Sequence, residues 1–184
     1  MKSKPLLVLL MISGITAFTQ VLPIIHKVGN FEWKEYPSGV DFSHQIFDST
    51  TNFERAKFDS LAVFSDAKFD SSANFSEAQF HSYAGFSRTQ FHSSADFSHA
   101  QFDSSVDFFL SRFHSSADFS GAIFDSSANF IKAKFDSSAN FYFAQFDSIA
   151  SFSNVFVKTS IILNYCTLPY YLDLLGIQLK GDNV

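Results

Sequence analysis

The chain is short of the residues from which many sites and small folds are built. It has one cysteine, Cys166, which excludes an internal disulfide framework and a multi-cysteine zinc site. Its seven glycines are scattered along 184 residues. They form no phosphate-cradling loop, and neither a zinc-protease helix nor a nucleophile elbow is present. Basic residues are outnumbered, 13 against 18 acidic, for a net charge of −5. Because Lys2 and Lys4 stand in an opening stretch without acids, the remainder of the chain is more acidic still. Direct nucleic-acid binding requires a basic face for phosphates, so that class is set aside. Serine, histidine and aspartate occur in so many similar copies that no catalytic set stands out. Neither an enzyme nor a cofactor is expected.

Long apolar runs are also lacking, with one exception. Met1–Gln20 reads as a short basic start, an apolar stretch and small residues near Ala17, the layout of a secretory signal. The expectation is cleavage near Ala17 or Thr19, with residues 1–19 removed and the remainder secreted or periplasmic. If the segment is retained, Val21–Ile25 lengthens it towards a membrane anchor. With cleavage, no membrane span is left.

What the chain has in excess is phenylalanine, 26 residues against a single tryptophan. Between Phe113 and Phe146 they stand at 113, 119, 124, 130, 135, 141 and 146, alternately six and five residues apart. The same grid runs back through Tyr36 to Phe31 and forward through Phe152 to Val157, Leu163 and Leu168, and 22 of the phenylalanines lie on it. Two residues before most centres stands alanine. Side chains two apart on an extended chain point to one side, so each step aims one large and one small side chain inward. Ser, Asp, Asn, Lys, Gln and His between them suit an outer surface with a corner at every step. A short unit of this kind buries its apolar face only against its neighbours, which implies a stacked solenoid.

The pattern A-[N/D]-F-x-x, with alanine two before the central phenylalanine, resembles the pentapeptide-repeat family over about residues 29–168. The alternation of five- and six-residue steps resembles one branch of it. The resemblance implies an all-β fold, a right-handed four-sided parallel β-helix with one step per side. Four sides of six, five, six and five residues make a coil of about 22. Residues 20–30 are expected to cap the front of a solenoid spanning 31–168. At the back, residues 169–184, opening P-Y-Y-L-D-L-L-G-I-Q-L-K, are expected to form a short helical cap and tail. The resemblance also permits a homodimer through the C-terminal segment.

Residues 22 apart fall in one column. Asp48, Asp70, His92, His114 and Asp136 form one such column, and Asp59, His81, Asp103, Asp125 and Asp147 form another on the opposite side. No resident metal is expected, but Asp70, His92, His114 and Asp136 are the residues that could hold one, imidazole and carboxylate being suitable ligands. Repetition also explains them without a ligand, since Asp followed by Ser folds back on its own turn. A second candidate is an apolar contact surface of Phe109, Leu110 and Ile131, with Tyr142 and Phe143 on the opposite side. These features favour a non-catalytic, exported scaffold that meets a protein or a surface. The resemblance brings an alternative, a DNA-mimic inhibitor of a type II topoisomerase. Against it, residues 31–168 carry 16 acidic and 9 basic residues, too mixed for an acidic stripe. A polysaccharide-active enzyme is a third reading, resting on the acidic columns and on fold analogy.

Overall fold

The computed structural model describes Gln20–Val21 and residues 29–180. The expected signal (1–19) and most of the expected front cap lie outside the described residues. Among those described, the chain winds as a four-sided parallel β-solenoid of 28 short strands, four to a coil. Face I runs from Gly29–Asn30 to Ile161–Ile162, and face II from Glu35–Tyr36 to Gln145–Phe146. Face III begins at Val40–Asp41, with Gln20–Val21 added at its outer edge, and ends at Tyr171–Asp173. Face IV runs from Ile46–Phe47 to Gln178–Leu179. From coil to coil within a sheet the register is 22 residues, as in Phe91↔Phe113 and Ala73↔Ala95, except at the added edge, where Gln20 pairs with Val40. Seven coils at about 4.8 Å each make a rod roughly 34 Å long.

The interior follows from the Ala-x-Phe spacing. Along each column the phenylalanine rings lie parallel, as in Phe75 on Phe97 at 4.9 Å and 1°, and Phe108 on Phe130 at 4.9 Å and 7°. Columns I and III interleave edge to face across the axis, with Phe86 and Phe97 at 5.3 Å and 87°. Both arrangements suit the ring quadrupole. The alanines fill the space beside the rings and are fully buried with them. Four of these small positions, Thr51, Thr89, Ser111 and Cys166, carry a polar atom. The Thr51 hydroxyl donates to the Ser49 carbonyl at 3.0 Å, the Thr89 hydroxyl to the Phe64 carbonyl at 2.8 Å and the Cys166 thiol to the Phe141 carbonyl at 2.8 Å, while the buried Ser111 hydroxyl has no partner among the described residues.

Five- and six-residue steps make different corners. After each phenylalanine of faces I and III comes a tight turn in which the Phe carbonyl accepts the N–H three residues on, as in Ala78 to Phe75 at 3.1 Å. The residue before that N–H has a left-handed φ at all twelve of these corners, eleven of them non-glycine, and Tyr165 and Gly176 take the same φ after Leu163 and Leu174. This is the position at which a type II turn needs a positive φ. The Asn or Asp before the phenylalanine completes the turn, its side chain accepting the N–H two residues on, for example Ser76 to Asn74 at 2.9 Å and Phe109 to Asp107 at 2.9 Å. The A-[N/D]-F pattern is therefore turn chemistry as well as core chemistry. The sixth residue of alternate steps lies in the Asp-Ser-Ser bends between faces II and III and between faces IV and I.

The helical cap expected at residues 169–184 is not formed: among the described residues, this segment continues the solenoid. Tyr171–Asp173 pairs with Ile149–Ser151 and Gln178–Leu179 with Phe156–Val157, both in the 22-residue register. The segment keeps every local device of the repeat. Leu174 and Leu179 take the central positions, the Asp173 side chain accepts the Leu175 N–H at 2.9 Å, and Gly176 takes the left-handed φ of +70°. A strand also satisfies the open edges of faces III and IV, for example Phe152 N–H to Asp173 carbonyl at 2.7 Å. A helix would leave those groups unpaired.

Candidate functional site

The two polar columns occupy the opposite bends of the rod. In the first, the structure pairs the candidate ligands rather than converging them. His92 Nδ1 lies 2.8 Å from Asp70, and His114 Nδ1 lies 3.2 Å from Asp136. The rings of His92 and His114 are 4.8 Å apart. Arg112 takes Asp136 as well, with Nε and Nη2 both 2.8 Å from Oδ2. Burial, then Arg112 and His92, hold the His114 imidazole below its ordinary pKa. Among the described residues no three His, Cys, Asp or Glu side chains converge on one point suited to a metal.

On the opposite bend, His81 lies 3.0 Å from Asp59 and 3.9 Å from Asp103. Beyond Asp103, Asp125 and Asp147 follow in the column without a basic partner among the described residues. Burial and the two flanking carboxylates push Asp125 above the usual range. On the tight corners two further acids are neutralised by arginine, while Asp41, Asp96, Asp107 and Asp118 accept turn N–H groups instead. Arg88 makes a two-pronged pair with Asp66 at 2.8 and 2.7 Å, and Arg55 does the same with Glu77 at 2.7 and 2.7 Å.

The apolar candidates separate into a weaker and a stronger group. Phe109 and Ile131 occupy successive coils at a face III–IV corner and are half-buried, with Leu110 more exposed beside them. Leu110 N–H bonds to the Ile131 carbonyl at 3.1 Å, so the corner is held by backbone. On the face I–II corner, Tyr142 and Phe143 meet a residue the sequence reading passed over, Tyr165. Phe143 stacks on Tyr165 at 5.2 Å and 18°, and Tyr142 stands edge-on to both. All three rings are exposed, Tyr165 by 72 %. Adding one coil to Phe143 gives residue 165, which was the available signal. The cluster borders the last coil, where Leu168, Tyr170, Tyr171, Leu174, Leu175 and Leu179 are all exposed.

A family model described as Pentapeptide repeats (9 copies) matches in overlapping stretches at residues 42–90, 64–109, 86–134 and 108–155. The chain belongs to the pentapeptide-repeat family. Within this pentapeptide-repeat protein the matched stretch covers the central coils, and the aromatic Tyr165 and the leucine-rich last coil lie beyond it. No curated protein matches the chain. For a pentapeptide-repeat rod the columns described above are its outer surface, and they offer paired charges, hydroxyls and one apolar end.

Proposed function

We propose that the protein is a non-catalytic, exported rod that serves as a structural or protein-interaction scaffold. Its principal contact surface on this reading is the C-terminal end. The supporting observations are the exposed Tyr142–Phe143–Tyr165 cluster and, on the last coil, the exposed leucines Leu168, Leu174, Leu175 and Leu179. An exposed apolar surface on an otherwise polar rod marks a contact site, and the open strand edges beside it offer backbone pairing. A second copy presents the same leucines and the same edges, so the end is self-complementary in kind, and we take a tail-to-tail homodimer as its occupant. Export rests on the layout of Met1–Gln20 alone. The alternative, mimicry of DNA, is disfavoured by the ion pairs, because Arg55, Arg88 and Arg112 each neutralise a carboxylate that an acidic stripe would need.

Light scattering on the purified protein tests the pairing. Two copies per particle are expected at micromolar concentration, reduced to one by Leu174→Asp with Leu179→Asp and unchanged by Leu110→Asp on the opposite corner. A monomer at every concentration overturns the pairing. Intact mass of the protein fractionated from its native cells tests export. A species outside the cytosol lacking about the first 17 to 19 residues is expected at such a signal boundary. A full-length cytosolic protein would overturn export and make inhibition of gyrase supercoiling the next assay.

A further inference from the structure

The corner between faces I and II carries a second feature, in the N-terminal half of the rod. A groove of about 550 Å³ opens there. Its wall is the left-handed column Trp33, Arg55, Glu77 and His99, and its floor is formed by the outward side chains Lys57, Gln79 and Gln101 of face II. The wall is fixed in place. Both oxygens of Glu77 accept from Arg55 at 2.7 Å, and a third contact joins Arg55 to Glu54 at 3.0 Å. The Arg55 guanidinium lies 4.9 Å from the Trp33 ring. His99 leans over Gly121, where a Cβ would come within 2.5 Å of Nδ1. Trp33 is nevertheless 62 % exposed. On the floor, the amides of Gln79 and Gln101 make no side-chain hydrogen bond among the described residues.

The charges of this groove are already matched. Arg55 is met by Glu77 and Glu54, and Lys57 stands 4.0 Å from Glu35. An anion would face these carboxylates, and a cation would face Arg55 and Lys57. What is left to recognise a ligand is the exposed Trp33 ring, the His99 imidazole and two free amides, each amide both donor and acceptor. That set fits a molecule with apolar C–H faces and many hydroxyls but no charge. The amides recur at the coil step of about 4.8 Å, which suits an extended ligand of regular repeat. We propose that the groove binds a neutral oligosaccharide, one sugar against Trp33 and the hydroxyls of the following units on Gln79 and Gln101. This assignment depends neither on export nor on pairing through the last coil.

Calorimetric titration of the full chain with neutral oligosaccharides of cello-, xylo- and chito- type tests it. Trp33, the single tryptophan, supplies a second readout through its emission. Saturable binding is expected, with a dissociation constant of about 10 μM to 1 mM and a shifted Trp33 emission. The Gln79→Ala/Gln101→Ala double variant is expected to bind about tenfold more weakly with an unchanged melting temperature. Absence of saturation by any neutral sugar up to roughly 10 mM would overturn the proposal. Binding that survives the double substitution would also overturn it, by placing the ligand elsewhere. Binding confined to acidic glycans and abolished by salt would overturn the neutral class.

Discussion

The coil from Phe97 to Phe113 and the coil from Leu163 to Leu179 share one register but differ in what they enclose. In the first, every central ring is fully buried and stacked on both sides. In the second, leucines replace the rings, and Leu168, Leu174 and Leu179 are exposed. The backbone devices persist nonetheless, down to the Asp173 turn bond and the left-handed Gly176. The difference separates two causes. Register and turn chemistry suffice to wind a coil, whereas stacked aromatic burial is what makes it stable. The last coil also keeps both left-handed corners: glycine relieves the strain at Gly176, where the interior of the same column carries Asp66, Arg88, Leu110 and Lys132, whereas Tyr165 bears it at the other corner.

The largest test of this contrast is truncation. Phe97→Ala is expected to cost about 3–5 kcal/mol in denaturant unfolding, because it opens a cavity in a stack that cannot collapse. In the unpaired rod, Leu174→Ala should cost about 1 kcal/mol or less, since 45 % of that residue stays exposed on folding. Equal losses would mean that the end coil is buried in solution, as pairing of two copies would bring about, and dilution would then separate the two values.

Backbone strain gives a smaller contrast. Lys132→Gly relieves a left-handed φ of 58° and is expected to stabilise the rod by about 0.5–1 kcal/mol. Gly176→Ala, in the same column two coils on, should destabilise by about 1 kcal/mol. A loss on Lys132→Gly would show that this side chain contributes more at its corner than the strain it costs.

The smallest effect compares the two bends within the interior and turns on pH. The pKa of His114 is depressed by folding, so the unfolded chain takes up that proton first. Stability therefore falls as pH drops through about 6.5, the ordinary histidine value. The pKa of Asp125 is raised, so there the folded chain takes up the proton first, and stability rises as pH falls through its folded value. His114→Gln should flatten the limb between about pH 7 and pH 5. Asp125→Asn should raise stability at neutral pH by a few tenths of a kcal/mol, because exposed like charges in adjacent coils repel weakly. An Asp125→Asn variant with unchanged stability at pH 7 would mean that solvent screens the ladder fully.

The period was readable because one residue type marks it. Phenylalanine at six- and five-residue steps leaves only one way to bury every ring, and the resulting columns gave Asp70–His92 and His114–Asp136 as neighbours before any coordinates. The end was misread where the marker changed. Leu172, Leu174 and Leu175 after Pro169 suggest a helix by composition, but Leu163, Leu168, Leu174 and Leu179 hold the grid, and Asp173 and Gly176 hold the turn. The left-handed corners were not readable, since Trp33, Arg55, Glu77 and Tyr165 have no preference for that conformation and adopt it because stacking fixes the chain on either side. Side-chain pairing escaped for another reason. Arg112 reaches Asp136 diagonally, 24 residues away rather than 22, and the groove at Trp33 draws on several coils at once.

The likeness of faces I and III bears on how such a rod can change length over generations. Both carry the same Ala-x-Phe step, the same turn and interleaved rings, so the interior accepts a gain or loss of eleven residues as readily as one of twenty-two. The exterior does not treat them alike. Duplication of twenty-two residues would push the Tyr142–Phe143–Tyr165 cluster farther from Trp33 along the same edge. Duplication of eleven would carry the cluster half a turn round, onto the edge now marked by Leu110. Inheritance can thus re-aim one end of the molecule relative to the other without altering a single packed ring.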